Sequence, residues 1–197
     1  PRSAFGHIFG TQLSACWALG LLPKPSQDEI SGMLSRLSES SSDADLSNNS
    51  GTAATLSRSL VGREIGIVSP SCLGAAAYRF SCQLNENSAQ FARSTEVPEM
   101  NHNEIVAWTG KASGDSALLV LSCEGLNPRT NARIEWMLNV VEAKPTWVIE
   151  CEGQSLLERL LYAAHITDWV SIGLAVLTEE DPSDMPAIDS LKSHLAE

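Results

Sequence analysis

From residue 61 onward, short apolar runs alternate with amphipathic segments, and this alternation restricts the fold more than any other feature of the sequence. Each run has about six residues, which suits a strand buried on both faces of a sheet. The segments between the runs carry apolar residues at helical spacing. The chain therefore predicts an α/β fold with a doubly wound parallel sheet flanked by helices. The predicted strands are Glu64–Ser69, Phe91–Thr95, Ala117–Cys123 and Thr146–Glu150.

The first sixty residues predict helices without strands. Pro1 to Leu22 forms one amphipathic pattern, and Ser26 is a candidate N-cap for a second helix that ends near Leu37. The Ser-rich stretch 38–51 is typical of a flexible loop or disordered insert. We therefore expect a helical linker segment at 1–60, which connects to a preceding domain, and an α/β domain at 61–197.

The charge of the chain excludes several classes of partner. The formal net charge is −11 and the pI is about 4.7, so no basic stripe is available for nucleic acid or for an anionic membrane surface. A small anionic substrate remains compatible, since a few local groups outweigh the global charge.

Cysteine usage and hydropathy predict a cytoplasmic protein. The five cysteines are odd in number and form no CxxC pair, so reduced, structural thiols are expected. The sequence shows no signal peptide, and its longest apolar stretch, Trp169 to Leu177, suits a buried helix rather than a membrane span.

Two polar clusters interrupt this apolar background. Asn85-Glu86-Asn87 lies near a predicted helix end, and Asn101-His102-Asn103-Glu104 lies in a predicted loop before a short helix. A carboxylate and an imidazole suit proton transfer on a sugar, because one moves a carbon-bound proton and the other a hydroxyl proton. Since open α/β sheets bind ligands beyond the carboxyl ends of their strands, we expect both clusters at that edge.

Each candidate also has a plainer interpretation. Asn-Glu-Asn is compatible with a solvated helix terminus, and Asn101 is a candidate N-cap for the short helix. His102 with Glu104 lacks the spacing and the second histidine of a metal site. The Ser69–Gly74 turn is favoured as a helix cap over a phosphate cradle. Lys192 and Arg2 are unremarkable when each is taken alone.

Four short segments, in fixed order and spacing, carry a resemblance to a known family. Together they resemble the bifunctional phosphoglucose/phosphomannose isomerases of the sugar isomerase (SIS) superfamily, over the whole chain except the Ser-rich insert. The segments are Pro1-Arg2 with Phe5-Gly6; Ala77-Tyr78-Arg79 with Gln83-Leu84-Asn85-Glu86-Asn87; Pro98 to Ile105 with Trp108; and Ala187 to Lys192.

The resemblance implies a role for each candidate residue. Glu86 is implied as the base that moves a proton between C1 and C2 through a cis-enediol. His102, from the partner subunit of a homodimer, and Lys192 are implied in sugar ring opening. Arg2 is implied in substrate binding and stabilisation of the enediolate. No metal or organic cofactor is implied.

The resemblance also places the chain within a larger enzyme. Family members carry two SIS domains, and the phosphate-gripping loop belongs to the first, so this chain resembles the second SIS domain with a linker. The implied substrates are glucose 6-phosphate, possibly mannose 6-phosphate, and fructose 6-phosphate. The alternatives are a non-catalytic phosphosugar-binding regulatory SIS module and a domain that serves only dimerisation.

Overall fold

A four-stranded parallel sheet forms the centre of the computed structural model, which describes residues 4–196. The strand order is β2-β1-β3-β4, so the chain moves outward from β1 in both directions. This confirms the predicted doubly wound sheet. The strands are β1 (Ile65–Pro70), β2 (Ala92–Val97), β3 (Ala117–Ser122) and β4 (Thr146–Glu150).

Helices surround the sheet within the described range. They are α1 (Phe5–Ala18), α2 (Gln27–Ala44), α3 (Thr52–Leu60), α4 (Gly74–Ser88), α5 (Glu104–Trp108), α6 (Pro128–Val140), α7 (Leu156–Thr178) and α8 (Pro186–Leu195).

The sheet is buried on both faces, as its continuous apolar strands predict. Leu119 and Leu121 of β3 pack with α3, α4 and α7 on one face. Leu118 and Val120 alternate to the other face, where α5 and α6 cover them. Removing each such side chain from water stabilises the fold by about 1.5–3 kcal/mol.

The Ser-rich stretch differs from the prediction. Instead of a loop, residues 38–44 continue α2, and α3 follows after turns. Ala44 is fully buried, and the Ser41 hydroxyl lies 2.9 Å from Nε2 of His165 on α7. Tertiary packing therefore overrides the weak helix propensity of serine. Because α3 contributes Leu56 and Leu60 to the core of the sheet domain, the helical segment and that domain are in contact. The division at residue 60 stays a prediction.

Helix α7 is the central helix of one sheet face. Its length and mean hydropathy of 1.5 would suit a membrane span by composition alone. Ten of its residues are buried, however, and its side chains pack against α3 and α4. The apolar stretch from Trp169 to Leu177 thus belongs to a core helix.

Helices α1 and α8 contrast with this packing. Neither contains a buried residue, although both carry apolar side chains such as Ile8, which is 45% exposed, and Leu191, which is 56% exposed. The described part of the chain therefore leaves the apolar faces of its first and last helices largely open.

Candidate active site

Glu86 is half-buried in the last turn of α4, and its two neighbours hold that turn in place. The Asn85 amide donates to the Ala92 carbonyl at 2.8 Å and accepts from the Ala92 N–H at 3.1 Å, which ties α4 to the start of β2. The buried Asn87 donates to the Ser171 hydroxyl of α7 at 2.8 Å. The two asparagines thus anchor a carboxylate rather than forming a solvated terminus.

A row of polar contacts joins α4 to α7 one and two turns earlier. Nη2 of Arg79 lies 2.7 Å from Oδ2 of Asp168, and Nε2 of Gln83 donates to Oδ1 of Asp168 at 3.0 Å. The Phe5 ring of α1 stacks on the Arg79 guanidinium, 4.1 Å from ring centroid to Cζ. These contacts fix the rotation of α4 and therefore the direction in which Glu86 points.

His102 is exposed, in the loop that follows β2. The fully buried Met100 anchors the loop on one side of it. On the other side, the side-chain amide oxygen (Oδ1) of Asn103 accepts from the Glu104 N–H, so Asn103 is the N-cap of α5. The prediction that Asn101 caps this helix is therefore wrong. The helix begins two residues later than predicted, and its N-cap is Asn103.

Trp108 holds this loop and α5 against the sheet. A Cβ added at Gly66 would lie 2.2 Å from Cζ2 of Trp108, so the indole packs directly on the backbone of β1. The indole N–H donates to Glu104 at 3.3 Å, and Arg93 of β2 lies 3.3 Å from the same carboxylate. The loop that carries His102 thus has a rigid base.

Glu86 and His102 lie at opposite ends of the strands, Glu86 at the amino ends and His102 at the carboxyl ends. Helix α4 starts beyond the carboxyl end of β1 and runs back, so Glu86 lies near the amino end of β2. His102 follows the carboxyl end of the same strand, whose six residues span roughly 17 Å. The expectation that both clusters share the carboxyl edge is therefore wrong for Glu86 and confirmed for His102.

Lys192 lies on the exposed helix α8. Its Nζ is 2.8 Å from Oδ1 of Asp189, and both side chains are 67% exposed. The described contacts do not bring Lys192 to Glu86 or His102. Arg2 lies outside the described residues.

The turn after β1 differs from the expected serine cap. The strand continues through Pro70, and α4 begins at Gly74 after a single 3-10 turn, with no side-chain cap from a described residue. A Cβ at Gly74 would lie 2.2 Å from Oε1 of Glu96, so the exposed Glu96 side chain of β2 packs directly against the backbone of the helix start.

No role was predicted from sequence for Asp168, or for Arg79 and Gln83, which appear there only within the segments that carry the resemblance. Arg79, Gln83 and Asn87 are spaced four residues apart, which places them on one face of α4. Asp168 and Ser171 are three residues apart, which places them on one face of α7. A polar stripe on two otherwise apolar helices was the available signal, but the sequence does not show which two helices face each other.

Comparisons with known proteins show what this chain is similar to. Residues 49–195 match the family model described as the bacterial phospho-glucose isomerase C-terminal SIS domain. A bifunctional phosphoglucose/phosphomannose isomerase of Aquifex aeolicus is 34% identical over 60% of this chain and 38% of its own length. One of Thermoplasma acidophilum is 28% identical over 100% of this chain and 59% of its own length. The chain therefore spans less than two thirds of these curated relatives.

Solved structures show the same fold in proteins of distant sequence. A glucose-6-phosphate isomerase-like protein from Thermus thermophilus superposes with a TM-score of 0.58 at 17% identity, over 73% of this chain and 47% of its own. A glucosamine-6-phosphate deaminase from Thermotoga maritima gives 0.58 at 9% identity, over 82% and 48%. At these identities the likeness establishes the architecture alone.

Proposed function

We propose that this chain, which belongs to the bacterial phospho-glucose isomerase C-terminal SIS domain family, is part of an aldose–ketose isomerase. The proposed reaction interconverts glucose 6-phosphate with fructose 6-phosphate, and mannose 6-phosphate is the second candidate substrate. The observation that carries the proposal is the anchored carboxylate of Glu86 within a chain of this family. The chemistry proposed for Glu86 and the relatives of this chain both suit a cytoplasmic enzyme of carbohydrate metabolism.

Glu86 is proposed as the base. Aldose–ketose isomerisation removes a proton from C2 or C1 and returns it to the other carbon, through a cis-enediol intermediate. A carboxylate is well suited to this step when it is held at a fixed angle to the carbon. The Asn85 and Asn87 anchors supply that rigidity.

His102, Lys192 and Arg2 are proposed to act on the oxygen atoms of the sugar. Opening the ring requires a proton at the ring oxygen and removal of one from the O1 hydroxyl, which suits His102 with Lys192. A guanidinium suits the negative charge that develops on the enediolate, which is the role proposed for Arg2.

The fold supports an active site built from two chains. Because Glu86 and His102 lie at opposite ends of the strands in one sheet, a single copy does not place both against one small sugar. A homodimer in which the His102 loop of one copy lies beside Glu86 of the other would meet this requirement.

The test is a coupled assay of fructose 6-phosphate to glucose 6-phosphate conversion in the full-length protein. Glu86→Gln should lower kcat by about 10²–10⁴-fold, the range for loss of a general base, while sugar-phosphate binding measured by calorimetry is retained. Glu135→Gln, at an exposed position on α6, is the matched control and should be unchanged.

Two results would count against this proposal. Equal loss of binding and turnover in Glu86→Gln would remove the base role. A folded parent protein that binds sugar phosphate without isomerising it would identify a regulatory module instead. Repeating the assay on the 197-residue chain shows whether the proposed phosphate-gripping domain is needed for turnover.

A further inference from the structure

Three of the five cysteines converge at the carboxyl edge of the sheet. Cys123 follows β3 and Cys151 follows β4, and the β3–β4 register sets them opposite each other one step beyond the Ser122–Glu150 pair. The β1–β3 pairing runs to Val68–Val120, and Cys72, in the turn directly after β1, leaves the sheet at the same end as Cys123. Neighbouring strands lie about 4.8 Å apart, so the three thiols share one small region.

The proximity of Cys72 and Cys123 at this end of the sheet also affects the ionisation of Cys123. Burial is the main cause that raises the pKa of Cys123, and the adjacent Cys72 raises it further, while the Arg159 guanidinium partly offsets both effects. Burial also raises the pKa of Cys151, to about 12, with a contribution from Cys123. Each sulfur therefore lies within the electrostatic range of the others.

The three positions differ in access to solvent. Cys72 is exposed in the turn before α4, whereas Cys123 is 6% exposed and Cys151 is 2% exposed. Arg159, which donates to the carbonyls of Glu124 and Gly153, lines with Cys151 an open cavity of about 450 Å³ beside the cluster. The pair Cys72–Cys123 thus combines one thiol that small oxidants reach with a buried neighbour.

We propose that Cys72 and Cys123 are a modification site, at which a hydroperoxide oxidises the two thiols to an intramolecular disulfide. The structure has free thiols at both positions, and the reaction converts that form into a cross-link between the β1–α4 turn and the end of β3. Cys151 stays reduced, because it is the most buried of the three cysteines and its thiol donates to the Ile149 carbonyl at 3.6 Å.

The chemistry proceeds in two steps. The Cys72 thiolate attacks one oxygen of hydrogen peroxide, the O–O bond breaks, and a sulfenic acid forms as hydroxide leaves and takes up a proton to become water. The Cys123 sulfur then attacks the sulfenic sulfur, its proton leaves with the departing hydroxide as a second water, and the S–S bond forms. Two thiols lose two electrons in total, and the peroxide gains them.

Disulfide geometry is compatible with this pairing. A disulfide joins Cα atoms about 4.4–6.8 Å apart, and paired strands lie about 4.8 Å apart, with Cys72 two residues beyond β1 and Cys123 directly after β3. Cys72 also lies in a short turn rather than within a strand ladder, so its side chain has room to adjust.

The experiment is non-reducing peptide mapping of the full-length protein after treatment with stoichiometric hydrogen peroxide and alkylation of the remaining thiols. Cleavage after lysine and arginine separates all five cysteines of this chain, with Cys72 in peptide 64–79 and Cys123 in peptide 112–129. The expected product is these two peptides joined, two hydrogen atoms lighter than their sum and separated by dithiothreitol.

Three variants make the test specific. Cys72→Ser and Cys123→Ala should each abolish the joined peptide, whereas Cys82→Ser, on the neighbouring helix α4, should leave its yield unchanged. Cys123→Ala keeps a small apolar side chain at the buried position, and Cys72→Ser tests the pair without touching the core. Oxidation of Cys72 to a sulfinic acid without a cross-link, or a cross-link to any other cysteine, would overturn the proposal.

Discussion

The α4–α7 interface and the terminal helix α8 each carry a proposed site residue, but only at the interface is the helix that carries it packed against the rest of the domain. Glu86 lies on a helix whose neighbouring side chains are bonded to β2 and α7. Lys192 lies on a helix without a buried residue, and it is paired only with Asp189 in the described contacts. The difference teaches that contacts within this chain hold the proposed base in place, whereas an assembly would be needed to position Lys192.

Matched leucine truncations provide the strongest stability test of that contrast. Leu174→Ala in α7 removes a fully buried side chain from the core and should cost about 2–5 kcal/mol in the free energy of unfolding. Leu191→Ala in α8 should change it by less than about 0.5 kcal/mol, because the side chain is 56% exposed. Urea unfolding of the 197-residue chain measures both, and equal losses would show that α8 is packed.

The Arg36–Glu158 pair, which joins α2 to α7, gives a test with a pH signature. Nε of Arg36 lies 2.6 Å from a Glu158 carboxylate that is 4% exposed, and this hydrogen bond lowers the pKa of Glu158 below 4.5. A carboxylate whose pKa is lower in the folded state than in the unfolded state stabilises the fold. This stabilisation is complete above the pKa of the unfolded state and is lost as the pH falls through the pKa of the folded state.

Glu158→Gln should therefore cost about 2 kcal/mol at pH 7, and this deficit should shrink as the pH is lowered from about 4.5. Urea unfolding at several pH values compares it with Glu135→Gln, whose exposed side chain should show no deficit at any pH. A deficit in Glu158→Gln that is constant with pH would assign the loss to packing rather than to charge.

Matched aspartate substitutions give the smallest expected difference. Asp168→Asn weakens the contacts of Arg79 and Gln83 and should cost about 1–2 kcal/mol, since the Arg79 side chain is only 19% exposed. Asp189→Asn breaks an ion pair in solvent and should be nearly neutral. The contrast between the helices fails if the two variants unfold at the same urea concentration.

Much of the fold was predictable because strands buried on both faces have a distinctive sequence. The runs at β1, β3 and β4 gave their positions to within about two residues. The helical nature of 38–44 was not predicted, and α3 was not located within the segment 1–60 that was predicted to be helical, since packing of Ala44 and Leu56 rather than local propensity decides both.

The candidate site was predictable only in part, for a related reason. Glu86 and His102 were found because each polar cluster stands out against an apolar background. The function of Asn85 and Asn87 as anchors depends on Ala92 and Ser171, and only the folded chain shows these partners. Glu86 lies near the amino ends of the strands because α4 runs antiparallel to them, whereas the rule that ligands bind at the carboxyl ends applies to the start of that helix.

The central claim is that Glu86 of one chain and His102 of another form each active site. Co-expression of differently tagged full-length Glu86→Gln and His102→Ala variants, followed by the coupled isomerase assay, tests it directly. Random pairing makes half of the dimers mixed, each with one intact site of two, so activity should recover to about a quarter of the parent level. Purified mixed dimers that remain as inactive as either variant alone would contradict the account.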